Sequence, residues 1–380
     1  MKPVVLQLID SFHQGGSERQ AIQLTRLLHD SGRFHVQLAC LNPDGVLRAE
    51  IEGLGLGEIP AFPLTAFYNL NAFAQLRRFA RYLRTNKVQV LHSHDFYTNI
   101  FGMFAGTLAR VPVRVASMRE TGGMRTSGQK RLQRLAYSLA HQVVANSESV
   151  RSELIRQGVA PDKISVIYNG IDPQRVAVSA SATRADSFTR LGLSPTMDGR
   201  HRFVTLVANM RHEVKDYPMF LRAARRVQNA IPNAAFLLAG EGELMPALRD
   251  LARELGIESC TYFLGRCESL ADLLWISDVC VLSSKAEGFS NSILEYLAAG
   301  RPVVATDVGG AREAIVEDVT GNIVPAGDDQ MMAERIIALL GKPSLALMGD
   351  AGKRIVAEKF SCEAQLGRTE ELYYRLIGRS

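Results

Sequence analysis

Short β-branched runs alternate with amphipathic stretches along almost the whole chain, and the alternation lapses only once, over residues 176–200. In the first half, "VVLQLI" leads into a helix from Ser17 to about Leu28, and "FHVQLACL" into one near 46–53. "VQVLHSH" precedes a helix from about Thr98 to Ala109, "VRVASMR" one of about 129–140, and "QVVANS" one from about Glu148 to Gln157, before "ISVIYNGID" closes this half. The alternation restarts with "RFVTLVANM", helix 217–230, "AAFLLAG", helix 243–255, "CTYFLG" and helix 268–276. "VCVLSS", helix 291–299, "RPVVAT", helix 310–316, "GNIVPA" and a long helical tail from 328 complete it. Strand–helix alternation of this kind predicts parallel sheets covered by helices on both faces, with ligands at the carboxyl ends of the strands. The predicted class is α/β, with two doubly wound Rossmann-like domains, 1–175 and 201–359, facing an interdomain cleft. The Ala/Ser/Thr/Gly-rich stretch 176–200 reads as the linker. A length of 380 residues suits two domains.

Several classes are excluded early. No apolar run approaches the roughly 20 residues of a membrane helix, and "MKPVVLQLID" starts a strand at once without a leader pattern. A cytoplasmic protein is expected. The five cysteines are scattered with no C-x-x-C spacing, which argues against a zinc site or a disulfide frame. Residues 1–172 carry 20 Lys and Arg against 13 Asp and Glu, while the remainder has 24 against 26. The front half is therefore the basic one. Arg77, Arg81 and Arg84 share one helix face, and Arg125, Lys130, Arg131 and Arg134 follow a Gly-rich turn. Such groups mark a solvated face, an anionic acceptor, or peripheral contact with an acidic membrane surface; nucleic acid is not expected.

The chemistry lies in the turns. "DSFHQGGSERQ" places Gly15 and Gly16 before a helix, with Ser17 as N-cap and Gln20 at capping-box spacing. Two residues without Cβ let backbone N–H groups approach an anion at a helix N-terminus, although a structural turn explains them as well. No G-x-G-x-x-G follows any strand, so a dehydrogenase is not supported. "ANMRHEVKDYP" sets Arg211 and Lys215 just past the first strand of the second half, as a diphosphate clamp or a solvent-facing loop. "SKAEGFSNSILEYLAAGRPVVAT" carries Glu287 and Glu295 on either side of a tight turn, Gly288-Phe289-Ser290-Asn291. Ser292 and Glu295 fit S-x-x-E, so Glu295 either caps its own helix or reaches ribose hydroxyls. Glu287 stands where a carboxylate can bind sugar hydroxyls while the N–H groups of the turn bind phosphate. "HSHDFYTN" ends an apolar strand, with His92 expected against the sheet and His94 facing the cleft.

Together these residues resemble the retaining nucleotide-sugar glycosyltransferases of family four, which have the two-Rossmann GT-B fold. The likeness covers essentially the whole chain: the Gly15-Gly16-x-Glu18 loop, the "HSH" strand end and "VANSESVRSELI…ISVIYNGID" in the first half. In the second half it rests on Arg211 with Lys215, "LLAGEGEL", "FLGR", and the E-x7-E pair Glu287 and Glu295 followed by "AAGRPVVATDVGG". The resemblance implies that Glu287 holds hydroxyls of the donor sugar and Glu295 the ribose. It implies that Arg211 and Lys215 stabilise the diphosphate with N–H groups at Gly16 and at Phe289 to Asn291, and that His94 sits near the reacting centre. It also implies that the last helix, 360–380, returns to the first domain. The chain departs from the family pattern at Asn209-Met210, where a glycine often precedes the arginine, and at Ser290-Asn291, where Gly-Pro is frequent.

The expected reaction moves a sugar from a nucleotide-diphosphate sugar to a hydroxyl of a glycan or lipid-linked acceptor, as in cell-surface polysaccharide or glycolipid synthesis. No D-x-D triplet occurs, so no metal is expected at the diphosphate, and no cofactor. The rivals are a nucleotide-sugar epimerase or another GT-B enzyme such as a phosphorylase, and a sugar-binding protein without catalysis.

Overall fold

The computed structural model describes residues 2–64, 69–120, 125–343 and 345–379. They divide into two units, Met1–Gly170 with Cys362–Ser380, and Ile171–Ser361. In the first unit β1 (Val4–Ile9), α1 (Gly16–Asp30), β2 (His35–Cys40), α2 (Arg48–Glu52) and α3 (Leu70–Thr85) come first. β3 (Val90–Ser93), α4 (Phe96–Ala109), β4 (Val113–Met118), α5 (Ser127–Leu139), β5 (Gln142–Ala145), α6 (Glu148–Arg156) and β6 (Ile164–Val166) follow. The sheet order is β2-β1-β3-β4-β5-β6, with every pair parallel. The strands lack polar alternation because helices cover both faces: Val90–Ser93 and Gln142–Ala145 are buried throughout. Local chemistry starts the helices. Asp95 and Thr126 close capping boxes with Thr98 and Gln129 ahead of α4 and α5, and Ser147 caps α6.

The second unit opens with α7 (Arg184–Arg190), β7 (Arg202–Val207), α8 (Tyr217–Ala230), β8 (Ala234–Ala239), α9 (Met245–Glu254) and β9 (Thr261–Gly265). It continues with α10 (Leu270–Ile276), β10 (Val279–Leu282), α11 (Asn291–Ala298), β11 (Val303–Thr306), α12 (Ala311–Ala314), β12 (Gly321–Val324), α13 (Asp329–Leu340) and α14 (Leu345–Lys359). Its parallel sheet runs β12-β11-β10-β7-β8-β9. The direction of winding reverses between β1 and β3 in the first unit and between β7 and β10 in the second. In open α/β sheets that reversal leaves a crevice at the strand carboxyl ends.

Two stretches differ from the sequence expectation. Residues 176–200 are not a bare connector: Phe188 on α7 is fully buried, its ring centroid 5.4 Å from that of Phe203. Asp272 on α10 accepts from Ser187 Oγ at 2.6 Å and from Arg190 Nε at 2.7 Å. Leu193 and Met197 join Phe188 in one apolar cluster with Leu237 of β8 and Leu273 of α10, and the Arg190–Asp272 ion pair adds to it. The helical tail from 328 is three helices, α13, α14 and α15 (Cys362–Ile377). Gly341-Lys342-Pro343 separates the first two, and Ser361 bridges to Ile171 between the last two. α15 belongs to the first unit, where Tyr373 is fully buried and stands edge-on to Phe34.

The basic face of α3 is exposed as expected, with Arg77, Arg78, Arg81, Arg84 and, just past the helix, Lys87 in solvent. Arg125 is different: its guanidinium is half-buried, 4.2 Å over the Phe96 ring, and bonded to Gln133 and Glu120. The Gly-rich turn ahead of it lies outside the described residues. Among the described residues no helix is long and apolar enough to cross a membrane.

Candidate active site

In the second unit the loops after β7, β10 and β11, three neighbouring strands, are stitched together at the winding reversal. Lys285 N donates to Val214 O and Ser283 Oγ to Lys215 O, both at 2.7 Å, clipping the β7 loop to the β10 loop. Thr306 Oγ1, at the end of β11, donates to Ser284 O at 2.7 Å. On this scaffold Lys215 Nζ reaches Glu287 Oε1 at 2.6 Å, and Ser284 Oγ donates to the same oxygen at 2.6 Å. Lys215 is therefore not a bare cation: its charge is shared with the carboxylate, and both groups are held in place. Arg211 stands exposed on the β7 loop, whose Met210 is buried and bonded through its backbone to Glu241 and Leu244. A Cβ on Gly242 (φ +157°) would lie 2.1 Å from the Met210 carbonyl carbon, so a glycine opposite the loop meets the packing need.

The turn 288–290 delivers the chain into α11. Its N-cap is Ser290, whose side chain makes no capping bond, and no acidic residue lies in the first turn. The helix therefore presents partial positive charge without a side-chain carboxylate of its own beside it. Phe289 is buried, its ring 5.2 Å from that of Phe360. The S-x-x-E capping box at Ser292 does not form. Ser292 Oγ instead donates to Val207 O at 3.0 Å, and Val207 N donates to the Tyr296 hydroxyl at 2.8 Å, so α11 is locked onto the end of β7. Glu295, only 6% exposed, pairs with Arg175 Nε at 3.4 Å.

In the first unit Gly15 rather than Ser17 is the N-cap of α1, and Gln20 closes no capping box. Gln20 is drawn away by tertiary partners, donating to Gly170 O at 2.9 Å and accepting from Gly170 N at 3.3 Å. A Cβ at Gly15 would fall 1.9 Å from Glu18 Oε2, so the Glu18 carboxylate lies directly over this glycine, at the positive end of α1. His94 does not stand exposed at the end of its strand. It is 1% exposed, its ring 4.3 Å from that of His92, and both of its nitrogens are engaged. Arg119 Nη2 donates to His94 Nδ1 at 3.3 Å, and His94 Nε2–H donates to Gln7 Oε1 at 2.6 Å. Gln7 Nε2 donates to the Tyr373 hydroxyl at 3.0 Å, and that hydroxyl lies 2.6 Å from His92 Nδ1. His92 Nε2 is 2.7 Å from Ser117 Oγ. Donation from Arg119 to Nδ1 fixes His94 as a neutral imidazole protonated on Nε2, while His92, between two hydroxyls, bonds both as either neutral tautomer. Burial agrees, taking His92 down to about 3 and His94 well below the usual imidazole range.

His94 lines a cavity of about 370 Å³ contained in this unit, together with Asp10, Glu18, Asp95, Arg119 and Arg125. Burial raises the carboxyls of Asp10 and Glu18, and it takes Asp95 up to about 7 with help from the neighbouring Asp10 charge. Among the described residues no group of three His, Cys, Asp or Glu could hold a metal ion, and all five cysteines are free. Sequence reasoning singled out the residues at the strand ends but not their partners. Ser284, two residues past the end of β10, and Arg175 and Arg119, remote in sequence from what they hold, carried no motif.

Two family models match the chain: "Glycosyltransferase Family 4" over residues 14–175 and "Glycosyl transferases group 1" over residues 201–342. An uncharacterized glycosyltransferase of Methanocaldococcus jannaschii is 28% identical over 305 residues, 77% of this chain and 76% of that protein. N-acetyl-alpha-D-glucosaminyl L-malate synthase of Bacillus anthracis is 31% identical over 237 residues, 62% of this chain and 60% of the synthase. Among solved structures, Anabaena Alr3699/HepE in complex with UDP matches with a TM-score of 0.84 at 21% identity, covering 99% of this chain and 100% of that one.

Proposed function

The chain belongs to the family-four glycosyltransferases, with the GT-B fold, and from that premise we propose that it moves a sugar, with retention, from a nucleotide-diphosphate sugar to a hydroxyl of a glycan or lipid-linked acceptor. The observation that carries this reading is Glu287, held by Lys215 and Ser284 at the winding reversal, just ahead of the N-terminus of α11. A carboxylate so fixed accepts from hydroxyls of the donor sugar. As the C1–O bond breaks, negative charge grows on the diphosphate, where Lys215, Arg211 and the N–H groups of Phe289 to Asn291 oppose it. Glu295 takes ribose hydroxyls, with Arg175 steadying its carboxylate. His94, in the first unit, enters this reading as a neutral imidazole. A phosphate oxygen of the leaving group accepts the acceptor proton, so the sugar keeps its anomeric configuration without the close carboxylate pair of a retaining glycosidase. Alr3699/HepE is solved with UDP and with UDP-glucose, which supports a nucleotide sugar as donor.

The test is a panel of UDP-, GDP- and ADP-sugars with the pure protein, monitored for nucleoside diphosphate with and without EDTA, with the product anomer read by NMR. Acceptor-dependent release that survives EDTA is expected. Epimerised donor without acceptor would point to the epimerase, loss of release in EDTA would put a metal at the diphosphate, and an inverted anomer would remove retention.

The exposed stripe of α3 supports a second contact. Leu70 (88% exposed) and Phe73 (53%) continue the line of Arg77, Arg81 and Arg84, and such a face suits the surface of an acidic membrane. Flotation with phosphatidylglycerol vesicles, and not with phosphatidylcholine vesicles, is expected; equal behaviour with both removes this contact.

A further inference from the structure

The first-unit cavity has a charge balance that selects its occupant. Four carboxyl groups line it (Asp10, Glu18, Asp95 and Glu120) against two guanidinium groups, Arg119 and Arg125, and a neutral His94. Arg125 is spent on Glu120, Gln133 and the Phe96 ring. Arg119 donates to Asn169 Oδ1 at 2.9 Å and to His94. Three carboxyls thus face one guanidinium, whose hydrogen bonds to Asn169 and His94 go to neutral groups, so the acidic side chains outnumber the charge that could receive an anionic ligand. Asp95 is further committed to the start of α4, accepting from Thr98 N at 2.9 Å and from Thr98 Oγ1 at 2.8 Å. Asp10 and Glu18 remain as the acceptors that a ligand can meet.

A second observation points to an occupant with oxygen acceptors as well as donors. Arg119 Nε is buried and has no hydrogen-bond partner among the described residues. A buried donor left without a partner destabilises the fold, and a ligand oxygen removes that cost. The volume, about 370 Å³, lies in the lower part of the range for small-molecule sites, roughly 300–1,000 Å³.

We infer that this cavity takes an uncharged, hydroxyl-rich sugar ring as the acceptor, its hydroxyls donating to Asp10 and Glu18 and an oxygen accepting from Arg119, and that it turns away acceptors bearing a carboxylate or phosphate. Hydroxyls relieve the crowded carboxyls. An added anion meets three carboxyls against one guanidinium, and specificity of this kind comes from repulsion as much as from attraction. The inference rests on the proposed transferase reading for the word acceptor, but the cavity's preference for a neutral ring is independent of turnover.

The experiment is saturation-transfer NMR on the full chain with methyl α- and β-glucopyranosides, galactopyranosides and mannopyranosides, set against methyl glucuronides and glucose 6-phosphate. At least one neutral glycoside is expected to bind, and the charged rings at least tenfold more weakly. Asp10→Asn with Glu18→Gln should weaken the neutral ligand by tenfold or more, whereas Gly327→Ala, in the other unit, should leave it unchanged. Comparable binding of charged and neutral rings by the unaltered protein overturns the inference whether or not the double variant folds. So does neutral binding that survives the double substitution in a folded protein, or no binding of any ring. Nucleoside diphosphate release without ring binding sinks the cavity assignment alone; ring binding without release from any donor sinks the transferase reading alone.

Discussion

Glu287→Ala is expected to lower kcat/KM for transfer by about 10³-fold or more while nucleoside diphosphate affinity stays within about threefold, as read by calorimetry. The proposed role of Glu287 is to hold the sugar rather than the nucleotide, so its loss falls on the reacting group. Removing one preorganised contact to a reacting centre costs about 10²–10³-fold, and here two further groups are disturbed. Lys215 Nζ and Ser284 Oγ both meet Glu287 Oε1 at 2.6 Å, so the alanine variant also frees the lysine to move. Lys215→Ala on its own should cost on the order of 10²-fold, chiefly in kcat, because it opposes charge that grows in the transition state. The double variant should be far less impaired than the product of the two, since groups sharing one oxygen act as a unit. Glu287→Ala with full activity would remove the carboxylate from the mechanism. Strict multiplication of the two losses would show that the ion pair has no part in positioning.

The fold was legible because both sheets are parallel and covered on two faces. Strands such as Ala234–Ala239, buried at every residue, read as unbroken apolar runs. The helix over 217–230 could be read to its ends because Asp216 caps it and Pro218 stands in its first turn. The polar chemistry was legible only as far as it is local. Glu287 and Lys215 stand within a few residues of a strand end, where open α/β sheets place ligands. What joins them depends on chain segments brought together by the sheet, and no spacing rule encodes that. The two capping boxes fail for the same reason: Gln20 and Ser292 have tertiary partners in Gly170 and Val207. His94 was expected at the carboxyl end of its strand, facing the cleft; that Gln7 and Arg119, remote in sequence, engage both its ring nitrogens was not legible.

The loop after β11 yields the other large effect. Gly309 has φ +55°, and a Cβ there would lie 2.4 Å from Glu287 O and 2.5 Å from Gly288 O. The obstacles are backbone oxygens, so no side-chain rotation relieves them. The same contact carries a hydrogen bond, Gly310 N to Gly288 O at 2.8 Å. Gly309→Ala must therefore push the chain at 287–288 away, moving the Glu287 carboxylate and the entry to α11 together. A displacement near 1 Å in a reacting geometry costs about 10²-fold, and a loss of at least that size in kcat/KM is expected. The left-handed backbone adds about 1–2 kcal/mol of strain for a residue with a Cβ, worth a fall of several degrees in melting temperature for a unit of this size. Gly327→Ala separates the two effects. Gly327 also has a positive φ, +84°, but nothing lies within 4 Å of its Cβ position. It should lose a similar few degrees and keep its activity. If Gly309→Ala loses no more activity than Gly327→Ala, the loop after β11 does not hold Glu287 in place, and the carboxylate owes its position to Lys215 and Ser284 alone.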